Sequence, residues 1–157
     1  NMGKPELEWN QVPLSENIPT LELPIEGSPT ATGMGNPHCT FFVEDAEKIN
    51  LEEMGPKFEN HPLFPERTNV QFASIIARDQ IRMRVWERGA GVTLASGSSS
   101  CATAVAANRK GLTEKKVQIE LDGGILSVDW REDGVWMTGP TMQVFTGSFS
   151  EEFLKSL

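Results

Sequence analysis

The fold is decided by Arg84-Val85-Trp86-Glu87-Arg88-Gly89-Ala90-Gly91-Val92-Thr93-Leu94-Ala95-Ser96-Gly97-Ser98-Ser99-Ser100-Cys101-Ala102-Thr103-Ala104-Val105-Ala106-Ala107-Asn108. This stretch predicts a strand ending in an acidic–basic pair, then a glycine-rich turn, a small polar loop and a helix. Such a loop directs several backbone N–H groups at one point, and a helix N-terminus favours a bound anion. We therefore expect a small carboxylate to be held at this loop.

The helix that follows the loop carries small side chains on nearly every face. Alanine, valine, serine and threonine dominate Ser99–Asn108, and Gly111 stands where a residue just past a helix end is expected. Small side chains allow neighbouring backbones to approach closely. We therefore expect this helix to lie buried inside the sheet.

Strands are predicted on both sides of this helix. The runs with strand character, separated by turn residues, are Cys39–Val43, Val70–Ala77, Ile81–Glu87, 117–121, 125–130, 135–138 and 142–149. The second and third of these runs are close enough to form a hairpin. Several strands arranged around one buried helix make an α+β domain.

Three further segments are less regular. Thr20–Ile25 alternates and predicts a strand, which Pro24 restricts to a sheet edge. Asn50 is a predicted helix N-cap, and Pro56 either kinks that helix or begins a new one. A short helix is predicted from Ser150.

Length and composition limit what the chain can be. Its 157 residues suffice for one domain with its own core, and 23% charged with 38% apolar residues is typical of a globular protein. The net charge of −8 disfavours binding to nucleic acid and to anionic membranes. No membrane-spanning run and no signal peptide are present, so a cytoplasmic location is expected. Asn1 precedes Met2, so we expect a piece of a longer protein.

The sequence does not match the familiar nucleotide-binding and zinc-binding motifs. Gly33-x-Gly35 lacks the third glycine of a dinucleotide site, and Gly97–Ser100 lacks the lysine of a P-loop. No metal is expected, because the histidines and cysteines lack zinc-ligand spacing. Considered singly, Asn36-Pro37-His38 is also explained as a turn, Glu87-Arg88 as a solvated ion pair, and Ser96–Ser100 as a helix cap.

Three motifs together carry a resemblance to a known family. They are Gly35-Asn36-Pro37-His38, Pro65-Glu66-Arg67-Thr68-Asn69-Val70-x-Phe72, and Trp86-Glu87-Arg88-Gly89-Ala90-Gly91 with the loop to Cys101-Ala102. In order and spacing they resemble diaminopimelate epimerase, over the whole chain but only the C-terminal half of the family's sequence. The resemblance implies a mixed β-sheet curled as a barrel around a central buried helix. It also implies that residues 1–157 are one domain, the C-terminal half of a two-domain epimerase.

The family's reaction defines what this chain would need. It interconverts LL- and meso-diaminopimelate, on the route to lysine and peptidoglycan, without pyridoxal phosphate. One cysteine thiolate removes the α-proton, a second cysteine returns a proton to the opposite face, and each half supplies one cysteine. The resemblance therefore implies no cofactor, an amino-acid substrate and a missing N-terminal domain. A homodimer is left open, because apolar surface would be exposed where the other half docks.

The resemblance assigns the substrate-binding residues. Asn36 and Asn69 would hydrogen-bond the substrate, and Arg88 would grip its distal carboxylate with two parallel hydrogen bonds. Gly97 and Ser98 would present backbone N–H groups to the reacting carboxylate.

The implied catalytic positions are Glu87, His38 and Ser96. Glu87 would contact the substrate beside the base of this half, and His38 would reach the cysteine of the absent half and tune its protonation. Ser96 occupies the catalytic cysteine position, while Ser99 and Ser100 replace a glycine and an alanine. A free thiol has a pKa of about 8.5, and an alkyl hydroxyl is far less acidic. We therefore expect no epimerase activity from this chain alone, whether Ser96 is engineered or natural.

Two other functions stay open. A phenazine-biosynthesis-type isomerase of the same fold uses a carboxylic acid, so Glu87 would carry the proton there. The alternative from another class is a non-catalytic domain that keeps the carboxylate site. Cys101 matches a later, non-catalytic cysteine of the family and is not expected to be a nucleophile.

Overall fold

Eight strands form one mixed sheet in the computed structural model, which describes residues Asn1–Leu157. The strands are β1 (Thr30–Gly33), β2 (Pro37–Phe42), β3 (Asn69–Ala77), β4 (Gln80–Glu87), β5 (Gly91–Thr93), β6 (Lys116–Leu121), β7 (Gly124–Arg131) and β8 (Gly134–Thr138). Their spatial order is β1-β2-β3-β4-β6-β7-β8, and β5 pairs with the end of β4. The β2–β3 and β4–β6 pairs are parallel, and the others are antiparallel.

The sheet curls around one helix, α2 (Gly97–Arg109). Residues Ser99–Ala107 of α2 are all buried, and the helix contacts strands from both ends of the sheet. At its C-terminus Gly111 adopts a φ of +72°, and the N–H groups of Gly111 and Leu112 bond to the carbonyls of Asn108 and Ala107. This hydrogen-bond pair is a Schellman motif, which ends a helix with a left-handed glycine. The predicted α+β class, with a curled mixed sheet around a buried helix, is confirmed.

The N-terminal segment connects the two edges of the sheet. Met2 N–H donates to the Val135 carbonyl on β8, and Val135 N–H donates to the Gly3 carbonyl, both at 2.8 Å. Glu6 and Gly33 exchange two hydrogen bonds of 2.9 Å at the opposite edge, on β1. Residues 2–6 therefore satisfy main-chain groups on both edge strands and complete the enclosure of α2.

A second helix, α1 (Leu51–Glu59), packs on the other face of the sheet against β3 and β4. Successive residues of a strand face opposite sides, so Phe72 points to α1 while its neighbour Gln71 points to α2. The Phe72 ring lies 5.0 Å from that of Phe41, which lies 4.4 Å from that of Phe58. The structure thus has two hydrophobic clusters, one on each face of β3.

The α1 helix settles the question raised by Pro56. It is one continuous helix with Pro56 inside it, and Asn50 is its N-cap by position. The Asn50 side chain makes no capping bond to the backbone and instead reaches the Glu53 carboxylate at 3.4 Å. Gly55 lies against the Trp86 ring so closely that a Cβ atom would clash with it.

Two predicted strands are absent. Thr20–Ile25 forms bends, and its main chain is held by bonds such as Leu23 N–H to the Pro29 carbonyl at 2.8 Å. Met142–Phe149 has no regular structure and no neighbouring strand, so its propensity alone does not make a ladder. The short helix predicted after Ser150 is present as α3 (Glu151–Leu154). None of the three helices combines the length and the apolar character needed to cross a bilayer.

Candidate functional site

The N-terminus of α2 has backbone N–H groups that the chain itself does not use. Ser96 occupies the N-cap position, but its side chain makes no capping bond to the backbone. Its hydroxyl instead donates to Glu87 Oε2 at 2.8 Å. The first main-chain bond of the helix comes from Ser100 N–H, so the N–H groups of Gly97 and Ser98 remain free. Free N–H groups at the start of a 13-residue helix are an arrangement that favours a nearby anion.

Glu87 ends β4 and faces this position. Its Oε1 accepts a hydrogen bond of 2.6 Å from the Thr93 hydroxyl on β5, and its Oε2 accepts the bond from Ser96. Glu87 and Arg88 do not form the ion pair that the solvated-pair interpretation supposed: the Glu87 carboxylate bonds to Thr93 and Ser96, and the Arg88 guanidinium bonds to the Glu66 carbonyl.

Asn69 connects the three sequence motifs. It begins β3 and is 3% exposed. Its Oδ1 accepts from Arg88 N–H at 2.9 Å, and its Nδ2 donates to the Pro37 carbonyl at 2.9 Å. The Arg88 guanidinium donates to the Glu66 carbonyl at 3.0 Å, and its remaining N–H groups make no side-chain bond within the chain. The motifs around residues 36, 69 and 88 therefore lie at one end of the sheet.

Glu59, at the end of α1, fixes both the loop that precedes Asn69 and the turn that follows β4. The sequence analysis did not single it out. Its carboxylate is 7% exposed and accepts bonds from Arg67 Nη1 (3.0 Å), Gly89 N–H (2.9 Å) and Trp86 Nε1 (2.6 Å). Arg67 has a φ of +61°, a left-handed conformation that is costly for a residue with a Cβ atom. The bond to Glu59 stabilises that conformation and so positions the loop before Asn69.

His38 is completely buried and both of its ring nitrogens are hydrogen-bonded. Nε2 lies 2.8 Å from Asn36 Oδ1, and Nδ1 lies 3.0 Å from Gln71 Nε2. Burial, and to a smaller extent the charge of Arg88, lowers the pKa of His38 from 6.5 to about 3. The ring is therefore neutral at physiological pH, and it meets the surface only through Asn36.

Gln71, Ser99 and Thr40 form a polar group inside the sheet that the sequence analysis did not assign. Gln71 Nε2 lies 3.0 Å from Ser99 Oγ, and Gln71 Oε1 accepts from the Thr40 hydroxyl at 3.1 Å. The sequence does hold a signal for it, because Gln71 is a polar residue between the apolar Val70 and Phe72 of the predicted strand Val70–Ala77. Ser100, by contrast, bonds back to the Ser96 carbonyl at 2.8 Å and contributes nothing to this group.

The two cysteines, Cys39 and Cys101, make no side-chain hydrogen bond to the polar groups of the candidate site. Both are unpaired and buried, and burial raises the pKa of the Cys101 thiol to about 12 and raises that of Cys39 further. A buried thiol of this kind is inert as a base. No three His, Cys, Asp or Glu side chains are grouped so as to hold a metal ion. Glu87 and the Ser96 hydroxyl are thus the groups beside the free N–H groups of α2.

Comparison with known proteins identifies related sequences. The family model described as diaminopimelate epimerase matches residues 30–144. The chain is similar to a diaminopimelate epimerase of Rhodospirillum centenum, with 52% identity over 159 residues, which covers 98% of this chain and 55% of the relative. It is also similar to one of Microcystis aeruginosa, with 46% identity over 95% of this chain and 57% of the relative. The chain spans about half the length of the curated relatives it matches.

A solved structure shares the fold. A predicted epimerase from Pseudomonas aeruginosa superimposes with a TM-score of 0.53 over 92% of this chain and 57% of that protein. The two sequences are 16% identical, so this likeness concerns the architecture alone.

Proposed function

The chain belongs to the diaminopimelate epimerase family, and on that premise we propose that it is the C-terminal half of a two-domain member. The other half would pack against this one and complete an active site between them. The exposed apolar side chains near the end of the chain support this proposal, because the sheet and its helices do not cover them. They are Met142, Val144, Phe145, Phe149, Phe153, Leu154 and Leu157.

The observation that carries the proposal is the start of α2. A serine at an N-cap normally bonds to the backbone N–H groups of the first turn. Here Ser96 turns to Glu87 and leaves the N–H groups of Gly97 and Ser98 for another acceptor. A substrate α-carboxylate is the acceptor we assign to them. These groups would also stabilise the charge that develops on that carboxylate when the α-proton is removed.

The remaining polar groups would position the rest of an amino-acid substrate. Asn36 and Asn69 would donate hydrogen bonds from their Nδ2 atoms, and Arg88 would bind the distal carboxylate through its free N–H groups. The backbone N–H of Arg88 donates to the Asn69 side chain, so the two residues would bind the substrate at a fixed distance from each other. Preorganised donors of this kind reduce the entropy that a flexible substrate loses on binding.

The proposed chemistry lacks a thiol in this half. Ser96 holds the position at which the family has its catalytic cysteine, and its hydroxyl proton is already bonded to Glu87. Glu87 would accept a hydrogen bond from a cysteine thiol at that position and so keep the sulfur oriented toward the substrate. His38 would influence a cysteine of the other half only through Asn36, because its own nitrogens are buried and bonded. We therefore propose that this chain binds the substrate and does not epimerise it.

Isotope exchange tests this proposal. We expect no deuterium at the α-carbon of diaminopimelate in D2O, either with the chain alone or with it joined to the N-terminal half of the Rhodospirillum centenum relative. Changing Ser96→Cys in the joined protein should start the exchange, which proton NMR would measure. Ser100→Cys is the matched control, since it adds a thiol one turn further along α2 and should stay silent. Exchange by the unaltered chain would contradict the proposal.

A binding measurement separates the second candidate, a carboxylate-binding domain without any catalytic partner. This candidate is favoured by the lack of an ionisable thiol beside Glu87. Calorimetry should show diaminopimelate binding that Arg88→Ala weakens by about tenfold, the effect of one charge-assisted contact. Arg78→Ala, at an exposed arginine paired with Glu114, should leave the affinity unchanged. Binding with no exchange in the joined Ser96→Cys protein would favour the second candidate.

The joined protein that keeps Ser96 tests the phenazine-type alternative. Isotope exchange by that protein that persists in the presence of thiol reagents would favour this alternative.

A further inference from the structure

A continuous line of hydrogen-bonded side chains runs through the interior from Glu87 to Asn36. Its contacts are 2.8 Å from Glu87 to Ser96, 3.0 Å from Ser96 to Ser99, 3.0 Å from Ser99 to Gln71, 3.0 Å from Gln71 to His38 and 2.8 Å from His38 to Asn36. The three central members, Ser99, Gln71 and His38, have no exposed surface. Solvent therefore cannot supply a missing donor or acceptor to any of them.

The direction of the first bonds is fixed by Glu87. Both of its carboxylate oxygens accept a hydrogen bond, Oε1 from the Thr93 hydroxyl and Oε2 from the Ser96 hydroxyl. The single hydroxyl proton of Ser96 must therefore point to Glu87. The bond between Ser96 and Ser99 then needs its proton from Ser99, because a hydroxyl carries only one.

The same accounting continues to the other end of the line. Ser99 has no proton left for Gln71, so Gln71 must present its Nε2 amide group to Ser99 and to His38. Thr40 fits this orientation, because its hydroxyl donates to Gln71 Oε1. Nδ1 of His38 is then an acceptor, and a neutral imidazole carries its one proton on Nε2. That proton bonds to Asn36 Oδ1 and leaves both N–H groups of the Asn36 amide for other acceptors.

We propose that Glu87 sets the direction of every hydrogen bond in this line, and that Ser99 and Gln71 are positioning residues that carry the direction to Asn36. As a result, Asn36 turns its carbonyl oxygen to the His38 ring and offers a ligand its two amide N–H donors. It therefore selects an acceptor such as a carboxylate over an ammonium group. Only the naming of that ligand rests on the proposed function; the direction of the line follows from the contacts within this chain.

The tautomer of His38 measures the direction of the line. The chain has two histidines, His38 and His61, so a His61→Asn variant assigns both signals in a long-range proton–nitrogen NMR spectrum of the labelled chain. At pH 7 we expect His38 to carry its proton on Nε2, with Nδ1 unprotonated. A proton on Nδ1, or on both nitrogens, would overturn the proposal. This measurement needs no substrate, so it succeeds or fails independently of the epimerase assignment.

Two serine variants test whether the direction is transmitted from Glu87. Ser99→Ala interrupts the line, removes the 3.4 Å approach of Ser99 Oγ to His38 Nδ1, and leaves Glu87, Ser96 and His38 in place. It should shift the ratio of the two His38 tautomers by about fivefold toward Nδ1–H, the effect of one hydrogen bond. Ser100→Ala is the matched control, because Ser100 is equally buried on the same helical turn but bonds only to the Ser96 carbonyl. An unchanged ratio in Ser99→Ala, or an equal shift in both variants, would overturn the proposal.

Discussion

Gln71 and Phe72 lie in the middle of β3, whereas Gln143 and Phe145 lie near the end of the chain. The first pair is buried, and the second pair is exposed, with Phe145 at 83%. β3 has a hydrogen-bonded strand on each side and a helix on each face. The chain end has neither. A strand becomes part of a core because other elements satisfy its main chain and cover both of its faces.

The largest expected effect comes from the two phenylalanines. Phe72→Ala removes a ring packed against Phe41 and should lower the free energy of unfolding by about 3 to 5 kcal/mol. Phe145→Ala removes a ring that water already surrounds and should change it by less than about 0.5 kcal/mol. Urea denaturation of the two variants would measure the difference. Equal losses would show that the chain end packs against the domain in solution.

The two glutamines should show a smaller contrast of the same kind. Gln71→Leu removes the buried hydrogen bonds that the Gln71 amide makes to Thr40, His38 and Ser99 and should cost about 2 kcal/mol of unfolding free energy. Gln143→Leu, at an exposed position, is the matched control and should be neutral. The same denaturation experiment applies. A neutral Gln71→Leu would mean that the buried polar line adds nothing to stability.

The smallest effect is expected from removing the chain end itself. Residues 141–157 make no hydrogen bond to the rest of the chain, so a chain ending at Pro140 should unfold within about 0.5 kcal/mol of the full one. It should also bind less of a dye that reports exposed apolar surface. Deleting Asn1–Gly3 is the contrasting control, because it breaks the main-chain bonds to Val135 on β8 and should destabilise the sheet. A larger loss from the C-terminal cut than from the N-terminal one would reverse the comparison.

These contrasts separate two kinds of apolar residue that look alike along the chain. Those within β3 hold this domain together, whereas those after Pro140 stabilise nothing in it. Within the proposed two-domain protein, the second group is the surface that the other half would cover. The stability of this chain and the completeness of its active site are therefore expected to depend on different residues.

The sequence by itself determined the elements whose signals are local. The small residues of Ser99–Ala107 and the Gly111 stop predicted a buried helix, and the runs before and after it predicted most of the sheet. The order and spacing of the three motifs also identified the family, because a motif is read directly from neighbouring residues along the chain. Strand propensity failed at Thr20–Ile25 and Met142–Phe149, since a ladder needs a neighbour that a local pattern does not contain.

Only the tertiary structure decided which polar groups are free and which are occupied. Ser96 had the residue type of a helix cap, yet its hydroxyl donates to Glu87, nine residues earlier, and leaves the first N–H groups of α2 without a partner. His38 had the residue type of a surface acid or base, yet Gln71, 33 residues later, holds one of its nitrogens in the interior. A hydrogen bond depends on distance and angle between atoms. Those are set by the packing of strands far apart in sequence, which no local pattern contains.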